Sequence, residues 1–217
     1  MKRSPNSRIT MSSSAPAKPN RLQKWLDAFL HRAPRPLLIG EAKRVVVGAG
    51  RTTFPGWFAT DRATLDLLER EDFTRHWAPG TRTVFLAEHV WEHLSEEQGK
   101  AAAANCFEFL RPGGRLRIAV PDGLNPDPEY REHVRPGGAG PGASDHKILY
   151  TAPMLKGSLE SVGFVCTLLE YWDEAGEFHA TDWNPNEGKI ARSIRFDPRN
   201  QDGTTRYTSL IVDAIKP

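Results

Sequence analysis

Short runs of apolar residues, most of them rich in β-branched side chains, recur along the chain and are separated by polar or glycine-rich segments. Runs of this kind are typical of strands buried in a parallel sheet. The last of them alternates apolar and polar positions, which predicts the strand that closes the sheet. The predicted strands are Arg44–Val47, Trp57–Thr60, Thr83–Ala87, Leu116–Val120, Phe164–Leu169 and Tyr207–Ile215.

Helical segments lie between several of these strands. Ser95–Gln98 has the sequence of a capping box, and its alanine-rich helix is predicted to run to Leu110, before Arg111–Gly114 ends it. Thr151 is predicted to cap a second helix, which runs through Leu159. The alternation of strand and helix predicts an α/β fold built on a parallel sheet.

Three segments lie outside this alternation. Residues 1–19 are basic and rich in Ser and Pro, which predicts a disordered N-terminal extension to a single domain over 20–217. Within that domain, apolar residues at helical spacing predict a helix over 20–33, which either packs on the body of the domain or covers its site as a lid. Leu124–Ser144 is dense in Pro and Gly, and we expect a long functional loop there.

The charge balance and the cysteines exclude several classes of protein. Lys and Arg number 29 against 27 Asp and Glu, and the basic residues are spread along the chain, so nucleic acid is not expected as a partner. Cys106 and Cys166 are too few for a disulfide framework or a zinc-cysteine site, which suits a reducing cytoplasm. No run is long and apolar enough to predict a membrane span or a secretion signal.

A short glycine motif directly follows the first predicted strand. Gly48-Ala49-Gly50 permits a tight turn and a close approach of the backbone to a ligand, although two glycines alone are a weak signal. Asp61 ends the next strand, where its carboxylate is placed either to accept both ribose hydroxyls of a nucleoside or to cap a helix from Arg62. Together these residues indicate a nucleoside site.

The order and spacing of several blocks resemble class I S-adenosylmethionine (SAM)-dependent methyltransferases, in particular a bacterial branch of predicted methyltransferases. The resemblance extends from Lys43 to Pro217. Its most specific blocks are Glu88–Leu94 and Arg111–Gly114. The other blocks are Val45–Gly50, Pro55–Trp57 with Asp61, Val120–Asp122, Asp145–Lys147, Leu169–Trp172 and Leu210–Ala214.

This resemblance implies a Rossmann-like sheet with helices on both faces and an antiparallel last strand. The first crossover is expected to be abbreviated, because only ten residues separate Gly50 from Asp61. The loop also lacks the third glycine of the wider superfamily.

The same resemblance implies which residues bind SAM. The loop of Gly48, Ala49 and Gly50 meets the methionine end of SAM, and Asp61 binds the ribose. The remaining cofactor-binding residues are expected to line the cleft after the third strand or to contact the adenine. Those in the cleft are Ala87, Glu88 and His89, and those at the adenine are Asp72 and Phe73.

His89-Val90-Trp91-Glu92-His93 also matches the His-x-x-Glu-His signature of a zinc protease. Such a site needs two histidines on one face of a helix and a third ligand from a further helix. Here the segment follows a strand and runs directly into the Ser95 cap, so we expect no metal. Glu92 and His93 are instead expected to bond the backbone near the cleft.

Two further residues are candidates for the reaction itself. His146, at the end of the long loop, is placed to act as a general base or to orient a substrate, or else is an ordinary solvated histidine. Tyr171, beside Trp172 after a strand, offers an aromatic face to the sulfonium or belongs to the core. The nearby Arg192, Arg195 and Arg199 either clamp a carboxylate or pair with Asp197 and Glu187.

The sequence thus predicts a cytoplasmic SAM-dependent methyltransferase that acts on a small-molecule acceptor. Two alternatives stay open. The first is an enzyme in which SAM reacts with itself and releases methylthioadenosine. The second is a SAM-binding protein without catalytic activity, which the missing glycine and the short crossover favour.

Overall fold

A computed structural model describes residues 38–200 and 202–217. The predicted extension 1–19 and the predicted helix 20–33 lie outside the described residues.

Seven strands form one sheet in the order β2-β1-β3-β4-β7-β5-β6. Strands β1 to β4 are parallel, and β7 lies antiparallel between β4 and β5. This is the predicted Rossmann-like α/β sheet with an antiparallel last strand, and no helix connects β1 to β2. The strands are β1 Arg44–Val47, β2 Phe58–Ala59, β3 Arg82–Glu88, β4 Leu110–Pro121, β5 Val165–Trp172, β6 Phe178–Ala180 and β7 Ser209–Ile215.

Four α-helices accompany the sheet in the described chain: α1 Arg70–His76, α2 Glu96–Phe109, α3 Pro128–Val134 and α4 Ala152–Glu160. The predicted capping box is present, because Gln98 N donates to Ser95 Oγ over 3.3 Å and Ser95 N donates to Gln98 Oε1 over 3.0 Å. Thr151 precedes α4 but makes no capping hydrogen bond with its side chain. Among the described residues, no helix is long and apolar enough to cross a membrane.

The larger hydrophobic core lies on one face of the sheet. Buried residues of α1, α2 and α4 pack there against side chains of β1, β3, β4 and β7. The opposite face is covered differently from the expectation of helices on both faces. In the described chain it carries a smaller core around Trp183 and Ile190, from an irregular stretch that we call the covering segment, residues 181–200.

Three charged side chains of the sheet hold the covering segment by its backbone. Arg117 donates to the carbonyl oxygen of Gly188 over 2.6 Å. Glu170 accepts from Ile194 N over 2.7 Å, and Glu88 accepts from the backbone amides that follow Ile190. These bonds let an irregular segment cover a sheet, because buried backbone groups need partners and a helix would supply them internally.

Other predicted elements need correction. Leu124–Ser144 is not structureless, because it contains α3, where the Asp127 side chain accepts from Glu129 N. Asp61 does not begin a helix at Arg62, and only a turn follows it. Strand β5 continues past Leu169, so Tyr171 and Trp172 lie within the strand rather than after it. Its partner β6 was not predicted, since a strand of three residues has too little pattern to detect.

Candidate cofactor and substrate site

Two cavities share His89, directly after β3, and one of them also reaches Gly48 in the loop after β1. Loops at the carboxyl ends of parallel strands are the usual ligand site of such sheets. The larger cavity has a volume of about 440 Å³ and the smaller about 250 Å³. The larger is lined by Gly48, Arg62, Leu65, Asp66, Leu67, Leu68, His89, Val90, His93, Leu94, Gln98, Asp145 and Lys147.

Gly48 of the predicted glycine loop lines the larger cavity, whereas Ala49 and Gly50 do not. Gly48 and Gly50 have φ of 58° and 54°, in the left-handed region that favours glycine. A Cβ added to Gly48 would come within 2.6 Å of Val90 Cγ2, whereas one on Gly50 would meet nothing within 4 Å. Glycine at position 48 therefore allows the loops after β1 and β3 to approach each other closely.

Asp61 lies beside this loop, since Ala49 N donates to the carbonyl oxygen of Thr60 over 2.7 Å. Its Oδ1 accepts from Thr64 N over 3.0 Å and from Thr64 Oγ1 over 2.9 Å. These two bonds lower the pKa of the exposed Asp61 carboxyl, led by the hydroxyl of Thr64. Asp61 is thus ionised at neutral pH, next to Arg62, which lines the larger cavity.

Only one of the three residues expected in the cleft after β3 lines a cavity. Ala87 is fully buried in the sheet, and Glu88 binds the covering segment. His89 lines both cavities, with Nε2 3.1 Å from Ser209 Oγ. Its φ of 56° makes it the sole described residue other than glycine in the left-handed region. A non-glycine residue in that region is uncommon and marks a constrained position.

The smaller cavity has a basic and aromatic lining. His146 lies there, and its Nδ1 is 2.7 Å from the carbonyl oxygen of Val134. Arg192 also faces the cavity and keeps a loose pair with Glu88, at 3.6 Å. The lining residues are His89, His133, Val134, Gly140, Pro141, Ala143, His146, Arg192, Arg199 and Tyr207.

The arginines near the end of the chain pair largely with carboxylates. Arg199 donates to both carboxylate oxygens of Asp197, which is the pairing alternative given for it in the sequence analysis. It also borders the smaller cavity. Arg195 pairs with Asp182 over 3.0 Å. Glu187 binds Arg115, rather than any of the three arginines considered from the sequence.

Of the eleven predicted site residues, Gly48, His89 and His146 line one or both of these cavities, whereas the other eight, Asp61, Phe73, Asp72 and Tyr171 among them, line neither. Phe73 is fully buried and packs against Phe85 and Phe109, so its ring is closed to a ligand. Asp72 accepts from Asp66 N over 2.9 Å and so holds the segment that lines the larger cavity. Tyr171 stacks on His179 and borders a separate apolar groove.

Sequence reasoning missed one segment of the larger cavity. Residues 65–68 line the larger cavity, and the apolar run Leu65-Asp66-Leu67-Leu68 soon after Asp61 was the available signal. The carbonyl oxygen of Leu67 accepts from the Asn105 side chain, which fixes this loop to α2. His133 and Tyr207 of the smaller cavity had no distinguishing motif.

The comparisons with known proteins give structural neighbours alone, because no family model matches the chain and no curated protein matches it. A SAM-dependent methyltransferase from Archaeoglobus fulgidus is 15% identical, with a TM-score of 0.47 over 90% of this chain and 91% of that chain. A SAM-dependent methyltransferase from Mesorhizobium loti is 13% identical, with a TM-score of 0.45 over 80% and 81%.

A third solved structure, from Thermotoga maritima, is described as a possible histamine N-methyltransferase. It is 9% identical, with a TM-score of 0.48 over 80% of this chain and 73% of that chain. Because all three TM-scores are below 0.5, the fold is assigned from the order of the strands and not from these likenesses. By that order the chain is a Rossmann-like α/β protein, and the solved structures that it resembles are SAM-dependent methyltransferases.

Proposed function

We propose that this chain is a SAM-dependent methyltransferase that acts on a small-molecule acceptor. The observation that carries the proposal is the pair of cavities that share His89 at the carboxyl edge of the sheet. Methyl transfer needs two ligands held in line, with the acceptor facing the activated methyl group. A cavity of about 440 Å³ is within the range of ligand sites, and the neighbouring one suits a smaller acceptor.

SAM occupies the larger cavity in this proposal. The left-handed glycine loop lets the backbone approach the methionine end, and Leu65, Leu67 and Leu68 offer apolar contacts to the adenine. Asp61 accepts the ribose hydroxyls through Oδ2, since both of its bonds within the described chain go to Oδ1. The acceptor then lies in the smaller cavity, beside His89 and His146.

The lining of the smaller cavity favours an acceptor with an acidic group. Arg192 and Arg199 border it from the covering segment, and His133 and His146 border it from the other side. Guanidinium groups are well suited to carboxylates and phosphates, because they offer paired donors in a fixed geometry.

Asp61→Ala tests the cofactor site. We expect affinity for SAM and for S-adenosylhomocysteine to fall by about tenfold or more, because a hydrogen bond to a charged group contributes ~1–3 kcal/mol. Isothermal calorimetry measures both. The matched control is Thr64→Val, which removes a donor to Asp61 but keeps the carboxylate. Equal losses in the two variants would show that the turn matters and that the ribose assignment is wrong.

Products formed from SAM alone separate methyl transfer from the two alternatives. We expect little turnover, with any slow reaction giving S-adenosylhomocysteine, because the methyl group needs an acceptor. Chromatography of the nucleosides measures this. Rapid release of methylthioadenosine would replace the proposal by an intramolecular reaction of SAM. SAM binding with no consumption under any acceptor mixture, including carboxylate-bearing amines and alcohols, would favour a catalytically silent protein.

A further inference from the structure

Glu92, His93 and His146 form a cluster between the two cavities. Each offers one ligand atom, and these atoms lie within 4.8 Å of one another. Glu92 and His93 belong to a 3-10 turn after β3, whereas His146 comes from the loop after α3. The backbone brings the two segments together, because the carbonyl oxygen of Glu92 accepts from Lys147 N over 2.7 Å.

Glu92 is the unusual member of this cluster. It is 1% exposed, and neither of its carboxylate oxygens has a hydrogen-bond partner among the described residues. His89 Nδ1 lies 3.2 Å from Glu92 Oε1 but outside hydrogen-bond geometry. Burying a carboxylate that accepts no hydrogen bond is costly, and buried charges in proteins are paired or bind metals. A cation bound beside Glu92 would therefore stabilise its buried carboxylate.

Both histidines of the cluster keep a ring nitrogen for that cation. His146 Nδ1 lies 2.7 Å from a backbone carbonyl oxygen, so Nδ1 carries the proton and Nε2 keeps its lone pair. A metal-binding histidine is usually oriented in this way, by a bond from its other nitrogen. In His93 the buried Nδ1 has no hydrogen-bond partner, with Asp145 Oδ2 at 3.3 Å.

We propose that Glu92, His93 and His146 bind one divalent transition-metal ion, with zinc the expected occupant. Two imidazoles and one carboxylate form a donor set typical of zinc sites that keep an open fourth position. Tetrahedral bonds of ~2.1 Å place the ligand atoms ~3.4 Å apart, so these side chains close inward on binding. His93 lines the larger cavity and His146 the smaller, so the open position lies between them.

This assignment reverses the expectation drawn from the His-x-x-Glu-His motif. The sequence offered no third ligand, and the structure supplies it through His146. The motif's first histidine is outside this cluster of mutually close ligand atoms, and its Nε2 lies 3.1 Å from Ser209 Oγ. In a protease both histidines of the motif would bind the metal and the glutamate would act as base. Here the glutamate is itself a ligand, so no protease activity follows.

A second cluster of possible ligands provides the matched control. Asp173, Glu177 and His179 also lie within ligand distance of one another. There, however, His179 Nε2 is 2.6 Å from Asp173 Oδ2, and Asp173 Oδ1 accepts from Glu177 N. These groups satisfy one another and are not deeply buried. His179→Ala thus removes a histidine from a comparable cluster without touching the proposed site.

Titration of the chelator-treated protein with Zn²⁺ alone tests the proposal. We expect one zinc per chain by calorimetry and by metal analysis after dialysis. Glu92→Gln and His146→Ala should each weaken zinc binding at least tenfold, whereas His179→Ala should bind as the wild type does. Co²⁺ in place of Zn²⁺ should give the strong visible absorption of a four-coordinate site, and His146→Ala should lose it. SAM is absent throughout, so failure of the proposed function leaves this outcome unaffected.

The stability of the zinc-free proteins separates metal binding from a structural role. Glu92→Gln removes a buried charge that accepts no hydrogen bond among the described residues and keeps the shape of the side chain, so its unfolding midpoint without zinc should equal or exceed that of the wild type. Added zinc should raise the midpoint of the wild type and of His179→Ala only. The proposal is overturned if the wild type binds no stoichiometric zinc, or if zinc binding is lost in His179→Ala and kept in Glu92→Gln.

Discussion

At the scale of single residues, buried carboxylates order the loops around the site. Glu88 and Glu170 accept from backbone amides of the covering segment. Asp122, at the end of β4, accepts from Leu124 N over 3.0 Å and from Trp172 N over 2.8 Å, and so joins the end of β4 to β5. Each carboxylate replaces contacts that a regular helix or strand would have made internally.

Asp122 gives a prediction for the pH dependence of stability. Burial raises its pKa from 3.8 to about 6, against the opposing effect of the two backbone bonds. Above pH 6 the folded protein therefore holds a buried charge that the unfolded chain exposes to water. As pH falls from 6 to 4, the folded state takes up this proton first, so this residue's contribution to the free energy of unfolding rises by about 2–3 kcal/mol.

The measurement is urea unfolding of the wild type and of Asp122→Asn between pH 4 and pH 7. Other titrating groups contribute to both proteins, so the difference between them isolates Asp122. As pH falls, the free energy of unfolding of the wild type should rise relative to that of Asp122→Asn. The prediction would be contradicted if the difference in free energy of unfolding stayed constant over this range, or if the variant became the more stable relative to the wild type as pH falls.

Residue roles were predictable from the sequence where the backbone decides them. Gly48 and Gly50 adopt the left-handed conformation that their motif indicates. The resemblance assigns Phe73 to the adenine, whereas the structure buries it in α1, a helix whose seven residues carry too few apolar positions to be detected from the sequence. Glu92 and His93 are expected from the sequence to bond the backbone, whereas both Glu92 oxygens and His93 Nδ1 have no hydrogen-bond partner among the described residues. Nothing in the sequence shows that the loop carrying His146 folds back onto them.

At the scale of elements, the loop after β1 and the 3-10 turn after β3 form one unit. The Val90 side chain occupies the space that a Cβ on residue 48 would need. Gly48, Val90 and His93 all line the larger cavity. Since β1 and β3 are neighbours in the sheet, their pairing places both loops on the same edge. The shape of the cavity thus depends on the approach of these two loops.

Alanine substitutions at the two glycines separate close approach from backbone strain. Both positions have similar positive φ, so each substitution should destabilise the fold by ~1 kcal/mol through strain. Gly48→Ala should cost more in stability and should also weaken SAM binding, because its Cβ meets Val90. Thermal unfolding and calorimetry measure the two effects.

Gly50→Ala is the control, because its Cβ meets open space. Gly48→Ala combined with Val90→Ala should recover part of the loss in SAM affinity. Equal effects of the two single substitutions on both measurements would show that contact between the loops is unimportant.

Elements with a strong repeating pattern were predictable, and elements held by tertiary contacts were not. The first strand and the helix after Ser95 match their predictions closely, since β-branched runs and capping boxes are local signals. Helix α3 lies where the sequence predicts a loop, because its seven residues are surrounded by Pro and Gly. The covering segment has no period at all, and the side chains that hold it come from distant strands.

At the scale of the whole molecule, one buried ion pair joins the middle of the sheet to its cover. Arg117 of β4 donates to both carboxylate oxygens of Asp213 in β7, over 2.6 and 2.8 Å. The same guanidinium donates to the carbonyl oxygen of Gly188 and lies over the ring of Trp183. Arg117 is 1% exposed, so its positive charge is balanced by the Asp213 carboxylate and not by water.

Asp213→Ala should destabilise the protein by about 3–5 kcal/mol, because it leaves the Arg117 charge buried without its partner. Urea unfolding measures the change. Lys100→Ala serves as comparison, since it breaks an exposed pair with Glu96 that is expected to contribute ~0.3–0.5 kcal/mol. Replacing Arg117 and Asp213 together by leucine should recover much of the loss. Similar costs for Asp213→Ala and Lys100→Ala would contradict the prediction.

The position of β7 also determines when the protein can fold during its synthesis. Strands β1 to β4 pair among themselves, and β5 pairs with β6, but β4 and β5 each pair with β7. Ser209–Ile215 is the last of the seven strands in chain order. While a ribosome still holds this segment in its exit tunnel, β4 and β5 each expose an edge of unpaired backbone N–H and C=O groups. Completion of the sheet therefore waits for β7 to emerge, and until then these two edges are open to pairing with strands of other chains.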